Sequence, residues 1–147
     1  MAIVESLYAD SSAVLRWLLN EPDRENVAKR LREAKRVLAS ELTILECQRM
    51  LVRLVAAGSI GENSASRRQS DLHHLAREWD LWGITKPVLA RAGLPWPREP
   101  LRSLDSIHLA TLALARTDVP DLKLVSLDNR LRENASALGF ELVPPAT

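Results

Sequence analysis

The sequence predicts an α/β fold, a three-layer α/β/α sandwich in which helices cover both faces of a parallel sheet. Short apolar runs of strand length alternate along the chain with longer segments whose apolar residues recur at helical spacing. Strands that alternate with helices are joined by right-handed crossovers, which makes their sheet parallel. The chain has 147 residues, 46% of them hydrophobic, so a single domain over residues 1–147 with its own core is expected.

Three elements are predicted at the start of the chain. The apolar residues 7–9 form a strand, and Ser11 or Ser12 caps the helix that follows. Pro22 helps to end that helix, because proline cannot continue the helical hydrogen bonds. An amphipathic helix is expected over residues 23–34.

A strand and two helices are predicted next. Residues 36–39 form the strand, Ser40 opens an apolar helix that Gly58 stops, and residues 62–79 form a more polar helix. The apolar helix carries Leu, Ile, Met and Val over much of its circumference. We therefore expect it to be buried nearly all round, in the core or against a second subunit.

The remaining elements lie on either side of a proline-rich loop. Three prolines within residues 94–100 exclude a helix or a central strand there, which predicts a surface loop. The other predicted elements are a strand at 81–84, helices at 86–92 and 103–116, a strand at 122–127, a helix at 128–138 before Gly139, and a strand at 140–143.

Composition indicates the cellular compartment of the protein but does not identify its partner. No apolar run approaches the ~20 residues that cross a bilayer, and no signal peptide is evident. Cys47 is the one cysteine and cannot form an internal disulfide, so a reducing, cytoplasmic setting is expected. Arginine outnumbers lysine by sixteen to four, which permits a nucleic-acid partner, but the net charge of +1 does not indicate one.

Four acidic residues lie at or near the start of predicted helices, namely Asp10, Glu46, Asp105 and Asp128. Asp10 and Asp128 directly follow strands, where ligands collect in open α/β sheets. Each acid also has a structural interpretation. Asp10 and Asp128 could cap helices, Glu46 could close a capping box with Thr43, and Asp105 could favour the first turn of its helix. If Ser40 is the cap instead, Glu46 lies inside its helix.

Together the four acids predict a metal site. Two unit charges ~4 Å apart cost about 4 kcal/mol at an effective dielectric near 20, so clustered carboxylates need a cation. Mg²⁺ and Mn²⁺ both suit all-oxygen sites. A bound cation can activate water and stabilise charge on a phosphoryl oxygen, which is the chemistry of phosphodiester hydrolysis.

Four segments resemble, in order and spacing, the PIN domain of VapC toxins from bacterial toxin–antitoxin pairs. They are YADSSAVL at residues 8–15, SELTILE at 40–46, LDSIHLA at 104–110 and LVSLD at 124–128. The resemblance implies a five-stranded parallel sheet in the order 3-2-1-4-5. It also implies an endoribonuclease dependent on Mg²⁺ or Mn²⁺, a cognate antitoxin that fills the site, and a homodimer.

The resemblance also implies roles for single residues. Asp10, Glu46, Asp105 and Asp128 match the acidic quartet of the family, Ser126 matches a hydroxyl residue before the last acid, and Ser11 or Ser12 matches a small polar residue after the first. In the hypothesis that follows, Asp10, Asp105 and Asp128 hold the ion, while Glu46 binds it through water or deprotonates the attacking water. Candidate phosphate-binding residues are Arg16, Arg102 and Arg130, chosen by nearness in sequence to the acids.

Other interpretations remain. A catalytically silent PIN module that binds RNA or protein is the main alternative, and its expected mark is the loss of an acid, which is not seen here. His108, one helical turn after Asp105, either packs near the site or joins it in a metal pair. Receiver, haloacid-type phosphatase and P-loop or dinucleotide folds are disfavoured, because the residues after Asp10 and the glycine spacing do not fit their motifs.

Overall fold

In the computed structural model of the chain, residues 5–20 and 24–145 are described, without the side chain of Arg24. The predicted contribution of Pro22 to ending the first helix lies outside the described residues, as does the predicted start of the second helix at Asp23.

Five strands form one sheet in the order β3-β2-β1-β4-β5, as the resemblance implied. All four neighbouring pairs are parallel. The order places β1 and β4 side by side. Strands that follow β1 along the chain are first added on one side of it and then, from β4 onward, on the other, so the topological switch point lies between β1 and β4. The strands are β1 (Ser6–Ala9), β2 (Arg36–Ser40), β3 (Asp80–Trp82), β4 (Leu122–Val125) and β5 (Leu142–Val143).

Helices cover both faces of the sheet, which confirms the predicted three layers. Alternate residues of a strand point to opposite faces of the sheet. Tyr8 therefore packs with the last three helices of the chain, whereas Leu7 and Ala9 pack with the first four. No helix in the described ranges is long and apolar enough to cross a membrane. The helices are α1 (Ser11–Leu18), α2 (Arg24–Glu33), α3 (Glu41–Ala56), α4 (Glu62–Ala76), α5 (Lys86–Ala92), α6 (Ser103–Asp118) and α7 (Asn129–Ala137).

The α3 helix is less buried within the chain than its composition predicts. One stripe of the helix, which includes Leu42, Cys47 and Leu51, packs into the core. Leu45 and Val52 lie outside that stripe, and each is 51% exposed. A helix packed on one layer buries only one side, so the expectation of burial nearly all round fails for this chain taken alone.

The proline-rich loop before α6 is irregular, as predicted, but it is anchored to the helices. Trp96 is buried, and its indole Nε1–H donates to Ser106 Oγ in the first turn of α6 at 2.7 Å. On α7, Asn134 accepts from the Arg98 backbone N–H at 2.9 Å and donates to the Arg98 carbonyl at 3.0 Å. These contacts hold the chain that leads into α6, whose first turn carries Asp105.

Candidate active site

The carboxyl ends of three adjacent strands place polar residues along one edge of the sheet. Ala9 in β1 pairs with Val125 in β4, and the Asp10 backbone N–H donates to the Val125 carbonyl at 3.2 Å. On the other side, Thr43 Oγ1 at the start of α3 donates to the Ala9 carbonyl at 3.3 Å. The parallel register therefore brings the start of α1, the start of α3 and the end of β4 together around Asp10.

Asp10 is held by hydrogen bonds to both of its carboxylate oxygens. Oδ1 accepts from Ser12 Oγ at 2.7 Å and from the Ala13 backbone N–H at 3.1 Å, and Oδ2 accepts from Ser126 Oγ at 2.6 Å. The bond from Ala13 makes Asp10 the N-cap of α1, so the capping interpretation is correct. The hydrogen bonds from the two serines are not needed for capping, and they fix the carboxylate in one orientation.

Burial dominates the electrostatics of Asp10, whose residue is 1% exposed. Loss of hydration raises the pKa of this carboxyl above its ordinary value. The hydrogen bonds from Ser126 and Ser12 act in the opposite direction without cancelling it. An ionised Asp10 is therefore under electrostatic strain that a nearby positive charge would relieve.

Ser126 and Ser12 connect Asp10 to the loop that carries Asp128. While donating to Asp10, Ser126 Oγ accepts from the Asp128 backbone N–H at 3.1 Å, and Ser12 Oγ accepts from the Leu127 backbone N–H at 2.9 Å. Asp128 Oδ1 accepts from the Leu131 backbone N–H at 3.1 Å and caps α7. Of the two serines considered after Asp10, Ser12 is the one that contacts it.

Glu46 lies inside α3, as expected if Ser40 is the cap, because Ser40 Oγ accepts from the Leu42 backbone N–H at 3.0 Å. Its Oε1 is 2.5 Å from Nε2 of His108 on α6, and Nδ1 of His108 is 3.3 Å from the Tyr8 hydroxyl in β1. We refer to these three side chains as the Tyr8–His108–Glu46 chain. It ties α3 and α6 to the strand that ends at Asp10.

Asp10 and Glu46 both affect the pKa values of two buried neighbours. Burial raises the pKa of Tyr8 well above its usual range, and the charges of Asp10 and Glu46 raise it further. Burial raises the pKa of Cys47 to about 12, with contributions from the same two carboxylates. Both acids therefore act on one region of the interior, and Cys47 remains a protonated thiol unsuited to bind metal.

Asp105 lies one helical turn before His108, on the same side of α6. Its residue is 8% exposed, and Oδ2 accepts from Arg102 Nε at 3.3 Å. The Arg102 side chain is 74% exposed, so solvent screens this ion pair and it is weak.

The structure links the Asp10 carboxylate to the backbone of Asp128 through Ser126, and Glu46 to His108. Across residues 5–20 and 24–145, no three His, Cys, Asp or Glu side chains lie close enough to share one ion. Glu46, Asp105 and Asp128 are each engaged by a different neighbour. The convergence of all four acids on one cation therefore stays a prediction.

The donor set nevertheless fits a hard divalent cation. The side chains around this edge offer carboxylate and hydroxyl oxygens, and Asp10 and Asp105 are both buried. Mg²⁺ and Mn²⁺ prefer oxygen ligands of this kind. A cation beside Asp10 would also favour its ionised form, against the effect of burial.

The three arginines differ in their surroundings. Arg102 contacts Asp105, Arg130 is exposed in the first turn of α7, and Arg16 is half-buried beside Val125 and Leu127. Their predicted contacts with RNA phosphates stay predictions.

The sequence indicates no functional role for Tyr8, gives Thr43 only a capping interpretation, and leaves the role of His108 open. One signal for Tyr8 was available, since residues two apart in a strand point to the same face and Tyr8 is two before Asp10. The His108–Glu46 contact joins residues 62 apart in the chain, and no local pattern indicates it.

Comparisons with known proteins show which family the chain belongs to. A family model described as PIN domain matches residues 7–137. The chain is 33% identical over 141 residues to Ribonuclease VapC46 of Mycobacterium tuberculosis, covering 96% of this chain and 98% of that protein.

Solved structures share the fold at low sequence identity. One is the crystal structure of M. tuberculosis VapC20, described as a sarcin–ricin loop cleaving toxin, with a TM-score of 0.62 and 14% identity over 91% of this chain and 95% of that one. Another is a toxin–antitoxin complex from Klebsiella pneumoniae, with a TM-score of 0.61 and 13% identity over 92% and 93% of the two chains.

Proposed function

The chain belongs to the PIN-domain family and is of the VapC ribonuclease type, and on that premise we propose that it is a divalent-metal-dependent endoribonuclease, the toxin of a toxin–antitoxin pair. The observation that carries the proposal is the buried Asp10 carboxylate, held by Ser12 and Ser126 at the edge where β1 and β4 meet. A carboxylate buried this deeply is costly unless a cation offsets its charge.

In this proposal Asp10, Asp105 and Asp128 hold Mg²⁺ or Mn²⁺, directly or through water. An ion held there would activate a water molecule and stabilise negative charge on the phosphoryl oxygens. Ser126 and Ser12 keep Asp10 in one orientation through the hydrogen bonds described above. Glu46 binds the ion through water or accepts a proton from the attacking water.

The first test is cleavage of purified RNA by the purified protein. With Mg²⁺ or Mn²⁺ we expect cleavage at discrete positions, and with excess EDTA we expect none, because Asp10, Asp105 and Asp128 would then lack their cation. Separate assays on tRNA, ribosomal RNA and mRNA would identify the target. Cleavage that persists in EDTA would contradict metal dependence. Binding of RNA without cleavage under every metal condition would favour the silent module.

Large exposed apolar side chains support the proposal of protein partners. Among the described residues, seven such side chains are between 40% and 58% exposed: Leu45, Val52, Leu81, Ile84, Leu89, Leu94 and Leu104. Leu45 and Val52 lie seven residues apart in α3, and therefore on one side of that helix, and contiguous exposed apolar surface is commonly covered in an assembly. We propose that the protein forms a homodimer and binds a cognate antitoxin that occupies the site, in the cytoplasm.

Sedimentation velocity on the Asp10→Asn chain tests both partners without toxicity from cleavage. Alone at micromolar concentration, the chain should sediment as a dimer, because the exposed apolar side chains are then shielded. Where a short reading frame next to the gene encodes a small protein, addition of that protein should give a larger complex and, with wild-type chain, should stop cleavage. A monomer that does not respond to that protein would contradict the proposal.

A further inference from the structure

The Tyr8–His108–Glu46 chain contains two buried residues to which the proposed function gives no role. His108 is 3% exposed and Tyr8 is 1% exposed. We propose that His108 is a positioning residue of the ribonuclease, whose Nε2–H holds the Glu46 carboxylate in its working orientation. This inference rests on the proposed function, since it gives a role to Glu46 in the reaction.

The short distance between the ring and the carboxylate carries the argument. Nε2 of His108 is 2.5 Å from Oε1 of Glu46. Two acceptors at that distance would repel, so a proton lies between them, and a charge-assisted hydrogen bond of this kind is strong. A neutral imidazole with its proton on Nε2 has an unprotonated Nδ1, which must accept a hydrogen bond if it is buried.

In this proposal Tyr8 donates that hydrogen bond and so selects the tautomer. Its hydroxyl lies 3.3 Å from Nδ1 of His108, and a phenol keeps its proton at neutral pH. A hydroxyl that donates to Nδ1 leaves Nε2 to carry the ring proton and to donate to Glu46. The strand that ends at Asp10 therefore sets the direction of the hydrogen bond that Glu46 receives.

Positioning explains these contacts better than packing or metal binding. An apolar side chain would fill the same space without needing two polar partners in the interior. Both ring nitrogens of His108 already face a partner, Tyr8 or Glu46, so binding a metal would require one of these contacts to break. The Glu46 side chain is 27% exposed. Because fixing the rotamer of a glutamate side chain costs conformational entropy, a hydrogen bond that selects one rotamer in advance favours the reaction.

The test compares two replacements of His108 in the RNA-cleavage assay. His108→Leu removes the donor at similar volume, whereas the amide of His108→Gln keeps an N–H near the position of Nε2. We expect the Leu variant to lower kcat by about 10- to 100-fold with KM within about twofold, because the outer partners of metal-site residues typically contribute this much. The Gln variant should recover most of kcat. His74→Leu, on an exposed surface, is the matched control and should be unchanged.

Nuclear magnetic resonance of protein with ¹⁵N-labelled histidine supplies a second measurement that does not depend on activity or on the stability of the His108 variants. We expect His108 as the Nε2–H tautomer, a shift of its Nε2 proton in Glu46→Ala, and some Nδ1–H tautomer in Tyr8→Phe. An Nδ1–H tautomer in the wild-type protein would overturn the inference.

The two proposals fail in different ways. A wild-type protein that shows no metal-dependent cleavage refutes the proposed function. An active enzyme whose Leu and Gln variants lose kcat equally refutes only the positioning role of His108.

Discussion

Asparagine at position 10 or 105 should lower metal-dependent RNA cleavage by at least about 100-fold, while the protein stays folded. Asp10→Asn and Asp105→Asn keep the size of the side chain and one carbonyl oxygen but remove the charge that a cation requires. Loss of an outer partner in a metal site typically costs 10- to 100-fold, so loss of a ligand should cost at least the upper end of that range. Initial rates on a defined RNA at saturating Mn²⁺ measure the effect.

Asp118→Asn is the matched control for Asp105→Asn, because Asp118 is the last residue of the same helix and is exposed. Its rate should equal that of the wild type. Circular dichroism should show equal helix content in all three variants. Undiminished cleavage by folded Asp10→Asn or Asp105→Asn protein would end the proposal that these carboxylates hold the ion.

The same substitution at Asp128 separates its two roles. Asp128 caps α7, and asparagine is as good an N-cap as aspartate. Asp128→Asn therefore keeps the cap and removes only the charge, whereas Asp128→Ala removes both. A rate loss shared by the Asn and Ala variants would place Asp128 in the metal site, and a loss confined to the Ala variant would limit it to capping.

The fold could be predicted because local patterns determine most of its elements. Lys86–Ala92 has the predicted bounds, and the other elements differ from theirs by a few residues, at the ends of strands and helices alike. Asp10, for example, caps α1 in place of the serines that follow it. The exposure of Leu45 and Val52 was not predicted, because the width of an apolar stripe does not tell how much of it the same chain covers.

Less of the site could be predicted, because its contacts join residues far apart in sequence. The edge where Asp10 and Asp128 meet follows from the strand order, which the resemblance supplied. The bond from Ser126 to Asp10 spans 116 residues, and its geometry depends on the register of β1 against β4. Likewise, Ser12 rather than Ser11 contacts Asp10 because of the side of α1 on which each serine lies, and this depends on how α1 packs on the sheet.

Asp10→Asn is also expected to make the metal-free protein more stable than the wild type at neutral pH. Burial raises the pKa of Asp10, so its ionised form destabilises the folded state, and each unit of such a shift corresponds to about 1.4 kcal/mol. A neutral amide avoids this cost and can still accept the hydrogen bond from Ala13. We expect the thermal midpoint in EDTA to rise by about 2–4 °C for each kcal/mol gained.

The sign of the pH dependence follows from the same shift. Because the folded-state pKa of Asp10 is raised, the folded wild type takes up a proton as pH falls toward that value, and the stability difference from Asp10→Asn should narrow. As pH rises through the folded-state pKa, the stability difference should widen and then level off.

Mn²⁺ should raise the thermal midpoint of the wild type more than that of Asp10→Asn, since a ligand stabilises only a state that binds it. Asp121→Asn, at an exposed site, should follow the wild type in every condition. A variant less stable than the wild type in EDTA, or equal shifts with Mn²⁺, would mean that Asp10 is a structural cap whose charge no cation uses.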